Sequence, residues 1–215
     1  MDAIIDVTPI YLNGFLVTLQ LLVVSGTGAF ILGIIVAIMR ISPVPSLRVF
    51  ATVYTEVIRN VPLLLVLLFC GVVVPQLGSK LDFFPLALIG LAVYTSPFVA
   101  EAIRSGFNGV PVGQAEAARS VGMGFLQTVT LVVLPQAGRM VVPPLINVFI
   151  ALTKNTSVAG IFFVDELFKQ TGAATRDNPG SVILVLVYAA VLYLVMTIPL
   201  GLIAGAVEKR VVVLR

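Results

Sequence analysis

The sequence predicts an all-α integral membrane protein. It is expected to be a single domain with five transmembrane helices and with its N-terminus outside the cell. Three observations predict this class. The 215 residues are 59% hydrophobic and only 11% charged, with a mean hydropathy of +1.13, whereas a soluble domain carries about 25% charged residues. Charge-free windows long enough to cross a bilayer recur along the chain, and the basic residues between them are unevenly divided. Apolar segments of this length satisfy their backbone groups in lipid as helices.

Six charge-free windows are the candidates for membrane spans, and crossing the hydrocarbon core takes about 20 residues of helix. They cover residues 7–39, 60–79, 83–100, 120–138, 140–153 and 178–207. The second span is expected to begin before its window, because residues 50–58 already have helical character. The run 140–153 continues past Lys154 to Val164 as a span with one internal charge. Only window 120–138 is doubtful.

The distribution of basic residues decides the status of window 120–138. If it does not cross, the basic residues divide nine to three between the two sides, with Lys154 left inside the membrane. If it does cross, they divide seven to five. Cytoplasmic loops carry the excess of Lys and Arg. The rule therefore favours five spans, with residues 104–139 and the C-terminus in the cytoplasm.

Residue content agrees that window 120–138 is a structured loop. Residues 114–120 have the composition of a short helix, and Gly122 fits the position just past a helix end. Gln127, Thr128 and Gln136 are poor residues for a lipid-facing span. We expect a helix, a break at Gly122, a second amphipathic stretch, and then Pro135 near the start of the next span.

Several classes of function are excluded by what the sequence lacks. There is no histidine, which removes imidazole catalysis and histidine metal sites. Cys70 is the single cysteine, so we predict no metal site and no internal disulfide. The pI of 9.2 is explained by the positive-inside rule, so we expect no nucleic-acid partner. Asp2 and Asp6 near the start are untypical of a cleavable signal peptide.

One motif spans 20 residues of the doubtful region. It consists of Glu116-Ala117-Ala118, three residues, Gly122, nine residues, Val132, and then Leu134-Pro135. This pattern resembles the EAA loop of ABC-importer permeases, departing only in Val132, where isoleucine is usual. In that family the loop forms a coupling helix that sits in a groove of a cytoplasmic ATPase.

The resemblance extends over nearly the whole chain. VIRNVPLLL (57–65), FVAEAIRSG (98–106), GQAEAARSVGM (113–123), LPQAGR (134–139) and ALTKNTSVAG (151–160) are similar to polar-amino-acid permeases of the HisM type. RISPVPSLR (40–48), LLFCG (67–71) and ALTKNTS are most similar to actinobacterial glutamate permeases.

The resemblance implies a type I importer permease in the bacterial plasma membrane, with a core at about residues 11–207 and a coupling loop at about 105–138. It further implies two ATPase subunits, which bind ATP and Mg, a second permease subunit and an extracellular amino-acid-binding protein. Similar actinobacterial systems often use two different permeases, which favours a heterodimer over a homodimer. No phosphate-binding GxxxxGK[ST] sequence occurs here, so we expect no cofactor on this chain.

By this resemblance, ATPase coupling is assigned to one cluster around the motif. Glu116 is expected to pair with a basic residue of the ATPase, to cap its own helix, or to pair locally with Arg119. A loop helix stabilised only by that local pair is the alternative. The coupling candidates are Gln114, Glu116, Ala117, Ala118, Arg119, Gly122, Met123 and Phe125.

Lys154 is the strongest candidate for the substrate pathway. A charge at membrane depth costs about 2.5–3.5 kcal/mol and marks a functional site by default. A lysine facing the pathway would meet the carboxylate of an amino acid, with Asn155, Thr156 and Ser157 adding hydrogen bonds. The alternative is that Lys154 extends to the outer interface or pairs with an acid of another helix. Asn60, beside Val61-Pro62, is expected at a helix break lining the pathway.

Two charged pairs with i,i+3 spacing are predicted at the cytoplasmic ends of spans two and three. They are Glu56 with Arg59, and Glu101 with Arg104. They are candidates for an inner gate, and interfacial anchoring is the alternative. The charged outer loop 162–180 is expected either to contact a binding protein or to be solvated.

Two other functional classes compete with the importer permease. A secondary transporter or channel subunit needs coupling charges inside the membrane, and only Lys154 is clearly placed there. A membrane enzyme needs a catalytic constellation, which a chain without histidine and with one cysteine does not display.

Overall fold

The computed structural model describes residues 2–162 and 164–212, and the regular structure in these ranges is helical. The α-helices are α1 (Asp2–Ile41), α2 (Pro45–Asn60), α3 (Leu63–Leu68), α4 (Val74–Gln76), α5 (Phe83–Asn108), α6 (Val112–Ser120), α7 (Phe125–Gln127), α8 (Leu134–Asn155), α9 (Leu167–Asp177) and α10 (Val182–Val212). Two π-helical segments, Phe69–Val73 and Thr128–Val133, join α3 to α4 and α7 to α8. Two 3₁₀ segments follow, Thr156–Phe162 and Pro179–Ser181.

Four helical segments within the described residues are long and apolar enough to cross a membrane. They are Ile4–Ile41, Phe83–Asn108, Phe125–Phe162 and Pro179–Lys209. A fifth span is formed if α2 and the segment Leu63–Gln76 are taken together, although they are bent by 101° at their junction. The predicted all-α membrane fold is confirmed, with four to five candidate spans.

The doubtful window 120–138 divides at the predicted glycine. α6 ends at Ser120, and Gly122 adopts a φ of 88°, which only glycine adopts readily. The helix that restarts at Phe125 then runs without a break into the fourth span. Its 38 residues extend about 57 Å, against a hydrocarbon core of about 30 Å. The expected second stretch is thus the first part of one continuous helix that is longer than the hydrocarbon core is thick.

Both π-helical segments end two residues before a proline. Phe69–Val73 precedes Pro75, and Thr128–Val133 precedes Pro135. Proline has no N–H for the helical ladder and its ring crowds the preceding turn. The wider π turn relieves that crowding without breaking the helix. The two apolar runs therefore continue as helix through their prolines.

Close helix packing at the centre depends on glycines of α1. A Cβ at Gly28 would lie 3.1 Å from Cβ of Ala92, and one at Gly33 would lie 2.5 Å from Val99. Small residues let helices approach in a membrane. Because both contacts advance in the same sense along the two helices, α1 and α5 run in the same direction.

The second span is two differently placed helices. α3 and the π-helical segment after it pack lengthwise on α5, where Leu67 of α3 approaches Gly90 and Gly71 of the π-helical segment approaches Phe83. α2, bent away by 101°, packs across α1 and α5 through Ala51. Proline at position 62 prevents Val61 from continuing α2 as a helix, which explains the predicted break beside Asn60.

Candidate functional site

The short helix α6 lies at the surface of the described chain. Gln114, Glu116, Ala117 and Arg119 are exposed, whereas Ala118 is buried, 6% exposed. α6 packs on the π-helical segment Thr128–Val133, in which Thr128 is buried. One face of α6 is thus fixed to the root of the fourth span, and the other faces away from the chain.

The C-terminal end of α6 is closed by a Schellman motif. The Met123 N–H donates to the Ala118 carbonyl at 3.1 Å, and the Gly122 N–H donates to the Arg119 carbonyl at 3.0 Å. A Gly124 N–H to Gln127 Oε1 bond of 3.0 Å then begins the next helix. Two successive caps leave the corner between α6 and α7 little freedom.

The structure does not contain the local pair expected between Glu116 and Arg119. Nε of Arg119 donates to the Ala115 carbonyl at 3.2 Å instead. Glu116 does not cap its own helix either, because the N-cap residue is Pro111. Within the described residues Glu116 has no ion-pair partner. Its exposed carboxylate is available to another molecule.

Large apolar side chains surround this corner. Val112, Val121, Phe125 and Leu126 are 72%, 79%, 81% and 72% exposed. An apolar patch beside unpaired charges is typical of a protein-binding surface. The region around the EAA motif therefore has the shape and chemistry of a docking surface. It consists of α6, α7 and residues 121–124 between them, and is called here the docking corner.

Three arginines converge on Glu101 at one end of the bundle, called here the basic end. Arg104 Nη2 lies 2.8 Å and its Nε 3.0 Å from Glu101 Oε2. Arg40 of α1 bonds directly to Oε1, and Arg59 of α2 lies 3.7 Å from it. The Arg59 guanidinium also sits over the Phe98 ring at 5.6 Å. One carboxylate thus joins α1, α2 and α5.

The sequence identified part of this cluster. The Glu101–Arg104 pair forms as expected, but the Glu56–Arg59 pair does not, because Arg59 turns to Glu101 and Phe98. Arg40 was missed, since it is 61 residues from Glu101 in sequence. Glu56 is exposed, with no ion pair among the described residues.

Lys154 is exposed in the last turn of α8. No acid pairs with it in the described part of the chain. Asn147, also exposed, precedes it by seven residues, two helical turns, and so lies on the same face. Sequence reasoning missed Asn147, and its i,i+7 spacing with Lys154 was the available signal. The two form a polar stripe along α8, a helix that also contains Gln136, Arg139, Thr153 and Asn155.

The residues after Lys154 shape the helix end. The hydroxyl of Thr156, which is buried, donates to the Thr153 carbonyl at 2.7 Å. The Ser157 hydroxyl donates to the Lys154 carbonyl at 2.6 Å. Asn155 is half-buried. Asn60, at the junction of α2 and α3, is exposed and donates to the Glu56 carbonyl at 2.6 Å. The arrangement brings Lys154 and Asn147, rather than the two hydroxyls, to the surface.

Glu166 is a site that the sequence did not single out. It lies outside the candidate spans, fully buried, and caps α9 by accepting from the Phe168 and Lys169 N–H groups, each at 2.8 Å. The Tyr193 hydroxyl of α10 donates to it at 3.0 Å. Burial raises the pKa of the Glu166 carboxyl, although these hydrogen bonds act to lower it. Asp165, its neighbour, is exposed and pairs with Lys169 at 2.8 Å.

No group of three or more His, Cys, Asp or Glu side chains in the described residues is placed to hold a metal ion. The functional features are instead a docking corner, a charged cluster and a polar stripe, all on a membrane-spanning bundle.

Known proteins resemble this chain over nearly its whole length. The family model of binding-protein-dependent transport system inner membrane components matches residues 29–213. The chain is similar to the glutamate transport system permease protein GluC of Corynebacterium glutamicum, with 41% identity covering 97% of this chain and 96% of the relative. It is similar to the probable glutamine ABC transporter permease protein GlnM of Bacillus subtilis, with 40% identity over 98% and 97%.

A solved amino acid ABC transporter with histidines matches with a TM-score of 0.88 and 30% identity, covering 96% of each chain. The MetNI methionine ABC transporter matches with a TM-score of 0.72 at 22% identity, which shows the shared fold. Since the family model and these relatives cover nearly the whole chain, it belongs to the binding-protein-dependent transport system inner membrane components, as an amino acid ABC permease of the bacterial membrane.

Proposed function

We propose that this chain is the permease subunit of an ATP-driven importer that carries a polar amino acid, glutamate, into the cell. A separate ATPase subunit, present twice, binds ATP and Mg and hydrolyses the nucleotide. An extracellular binding protein delivers the substrate, and a second permease subunit completes the pathway. The basic end of the bundle is cytoplasmic and the N-terminus is outside, in accordance with the positive-inside rule.

The docking corner is the observation that supports this function most directly. α6 is fixed on one side by Ala118, closed by the Schellman motif at Gly122, and exposed at Glu116 and Phe125. A short rigid helix transmits the movement of a bound subunit better than a flexible loop does. The unpaired carboxylate of Glu116 is available to bind that subunit. Movement of a bound ATPase would pass through α7 into the fourth span, which carries Lys154.

Lys154 and Asn147 give the proposed pathway its preference for an amino acid. An ammonium and an amide on one exposed stripe suit a carboxylate, which accepts hydrogen bonds from both. A glutamate substrate is further supported by the similarity to a glutamate transport system permease protein, which is 41% identical to this chain. Asn60, exposed at the break in the second span, extends the polar lining toward the basic end.

The test of coupling uses the whole importer reconstituted with its ATPase and binding protein in liposomes. Glu116→Lys is expected to reduce ATP-dependent glutamate uptake more than ten-fold while hydrolysis loses its stimulation by loaded binding protein. Glu208→Lys is the matched control, an exposed acid of α10 that belongs to neither α6 nor α7. Equal uptake by the two variants would remove α6 from the coupling role. Uptake that a protonophore abolishes while ATP is present would indicate a secondary transporter instead.

The test of the pathway compares Lys154→Met with Lys80→Met, an exposed lysine in the loop before α5. Lys154→Met is expected to abolish uptake while the complex still assembles. Lys80→Met is expected to leave uptake within about two-fold, because a solvated charge contributes little. Unchanged uptake affinity and rate in Lys154→Met would contradict the pathway assignment.

A further inference from the structure

The C-terminal end of α8, which carries Lys154, has little of its own packing to hold it in place. Of the 22 residues of α8, only three are buried. Pro143 and Pro144 lie inside the helix, and a proline removes a hydrogen bond from the backbone ladder and crowds the preceding turn. The N-terminal half of α8 therefore positions the end with Lys154 only weakly, so the place of Lys154 depends on the residues that follow it.

The 3₁₀ segment Thr156–Phe162 continues α8 without an intervening residue. The Ser157 hydroxyl donates to the Lys154 carbonyl at 2.6 Å, and Ala159 is buried in the same apolar cluster as Leu152 of α8. The segment and the last turn of α8 are thus one unit. Because hydrogen bonds in a 3₁₀ helix have poorer geometry than those in an α-helix, this unit needs support from outside.

Glu166 supplies that support at Gly160. A Cβ added to Gly160 would overlap Oε1 of Glu166 and would lie 3.2 Å from Cβ of Lys169. The backbone of the 3₁₀ segment therefore rests directly against the carboxylate. Gly160 and Glu166 are both buried, so the contact lies inside the protein and any change in the length of either side chain would disturb it.

The carboxylate is itself held by other helices. It accepts hydrogen bonds from two backbone N–H groups of α9 and from the Tyr193 hydroxyl of α10. Beside it, the Leu167 N–H donates to the Thr18 hydroxyl of α1 at 3.1 Å. A Cβ added to Gly14 of α1 would lie 3.0 Å from Cα of Leu167. Glu166 is thus a fixed support whose place is set by α1, α9 and α10 together.

Capping of α9 does not by itself account for a glutamate at position 166. Ser, Thr, Asp and Asn are the preferred N-caps, and their side chains are all shorter. The longer side chain of Glu166 lets one carboxylate accept from the start of α9, accept from Tyr193 and touch Gly160. Its length therefore suits the joining of these elements rather than capping alone.

We propose that Glu166 is a positioning residue for transport, whose carboxylate supports the 3₁₀ segment at Gly160 and thereby fixes Lys154 where the substrate meets it. Glu166 is fully buried, so it acts through the segment and does not touch the substrate. The inference rests on the function proposed above, in which Lys154 binds the carboxylate of the amino acid. It gives this buried acid a part in transport and explains why a glycine stands at position 160.

The first experiment measures glutamate uptake and ATP hydrolysis together, in liposomes that contain the whole importer and its binding protein. Glu166→Asp still caps α9 but withdraws the carboxylate from Gly160. Because small misplacements of a binding group are costly, we expect about five-fold less glutamate carried per ATP hydrolysed, while loaded binding protein still stimulates hydrolysis. Glu208→Asp, the same shortening at an exposed acid of α10, is the matched control and should leave this ratio within about two-fold.

A compensating change tests whether Glu166 acts through Gly160. Gly160→Ala alone overfills the contact, and Glu166→Asp alone leaves it empty. In the double variant G160A/E166D the added methyl group takes the space of the removed methylene. Since residues in contact have non-additive effects, we expect this variant to recover the glutamate carried per ATP to within about two-fold of the wild type. Additive losses would contradict the contact.

The ratio of glutamate carried to ATP hydrolysed separates a positioning role from a structural one. A merely structural role would change the amount of folded importer, seen in its unfolding midpoint, and would leave the ratio as in the wild type. An unchanged ratio in Glu166→Asp, beside a wild type that imports glutamate, would overturn the inference. A wild type without ATP-dependent glutamate uptake would overturn the proposed function instead.

The second experiment follows the 3₁₀ segment directly and does not depend on transport. A nitroxide spin label on Ile161→Cys, 58% exposed in the wild type, reports the mobility of the segment in the purified importer, with Cys70→Ala as the background. Glu166→Asp is expected to raise the mobility of this label, and G160A/E166D to restore it. A label on Ile183→Cys, exposed at the start of α10, is the control and should be unaffected. An unchanged spectrum at position 161 would overturn the inference whatever the uptake.

Discussion

Glu101 and Glu166 are two acidic side chains that hold helices together in different ways. Glu101, 18% exposed, is surrounded by Arg40, Arg59 and Arg104. Glu166, fully buried, accepts from two backbone N–H groups and the Tyr193 hydroxyl. Three long cationic side chains can exchange places at one carboxylate with little loss. The donors to Glu166 belong to the backbone at the start of α9 and to the Tyr193 ring, so they cannot exchange places in this way. The start of α9, called here the α9 end, is therefore expected to stay rigid while the basic end rearranges.

The largest effect is expected from Gly160→Ala, which tests the rigid end. An added Cβ would lie 2.1 Å from Glu166 Oε1, so the carboxylate would have to leave its donors. Overpacking and unsatisfied buried groups together suggest a loss of about 3 kcal/mol or more. The thermal unfolding midpoint of the purified importer should fall clearly. Gly172→Ala in α9, where nothing lies within 4 Å of the new Cβ, is the control.

A midpoint for Gly160→Ala equal to that of Gly172→Ala would show that the α9 end tolerates displacement of Glu166. The two ends would then differ less than their contacts indicate, and rigidity would have to come from the packing of α9 on α1 and α10 alone.

The next largest effect is expected from Glu101→Gln, which tests the basic end. The amide still accepts one hydrogen bond but no longer balances three guanidinium groups. Arg59 and Arg104 are 38% and 49% exposed, so solvent screens them and the loss of stability should be about 1–2 kcal/mol. The rate of uptake should fall even at temperatures where the variant importer remains folded, because the cluster joins three helices. The measurement is the rate of ATP-dependent uptake beside the unfolding midpoint.

Glu208→Gln, an exposed acid near the end of α10, is the control for this change and should affect neither quantity. If Glu101→Gln lowered the midpoint as much as Gly160→Ala while the remaining uptake rate was normal, the basic end would be a fixed structural joint rather than an exchangeable one.

The sequence predicted the spans and the break at Gly122 better than the contacts between spans. Charge-free windows and glycine chemistry are local, so they were sufficient for α1, α5 and the end of α6. The Arg40–Glu101 pair joins residues 61 apart, and no periodic pattern encodes such a distance. The i,i+3 spacing predicted that Arg59 pairs with Glu56. Because α2 packs across α5, Arg59 instead contacts Glu101 and Phe98. A local rule was overruled by tertiary geometry.

Glu166 was overlooked for a different reason. Helix N-caps are expected to be Ser, Thr, Asp or Asn, so a glutamate before Leu167 did not mark the start of α9. Its burial depends on Gly160 and Tyr193, from two other elements. The 101° bend was missed in the same way, since Pro62 predicts a break but its angle depends on the helices that receive α2 and α3.

The smallest expected effect is a pH dependence of stability that arises from Glu166. Its sign shows whether burial or hydrogen bonding has the larger influence on the pKa of this carboxyl. Because burial raises the pKa of Glu166 above the ordinary value of 4.5, the folded state favours the protonated carboxyl. The stability that this group contributes is present below about pH 4.5 and is lost as the pH rises through the raised pKa. Unfolding midpoints of the wild type and Glu166→Gln, measured from about pH 8 to about pH 4, should therefore separate in favour of the wild type on acidification. Gln does not titrate, so the difference isolates this carboxyl. A wild type that loses stability relative to Glu166→Gln over that range would mean that the donors of α9 and Tyr193 outweigh burial, and that the α9 end is held by a permanent charge.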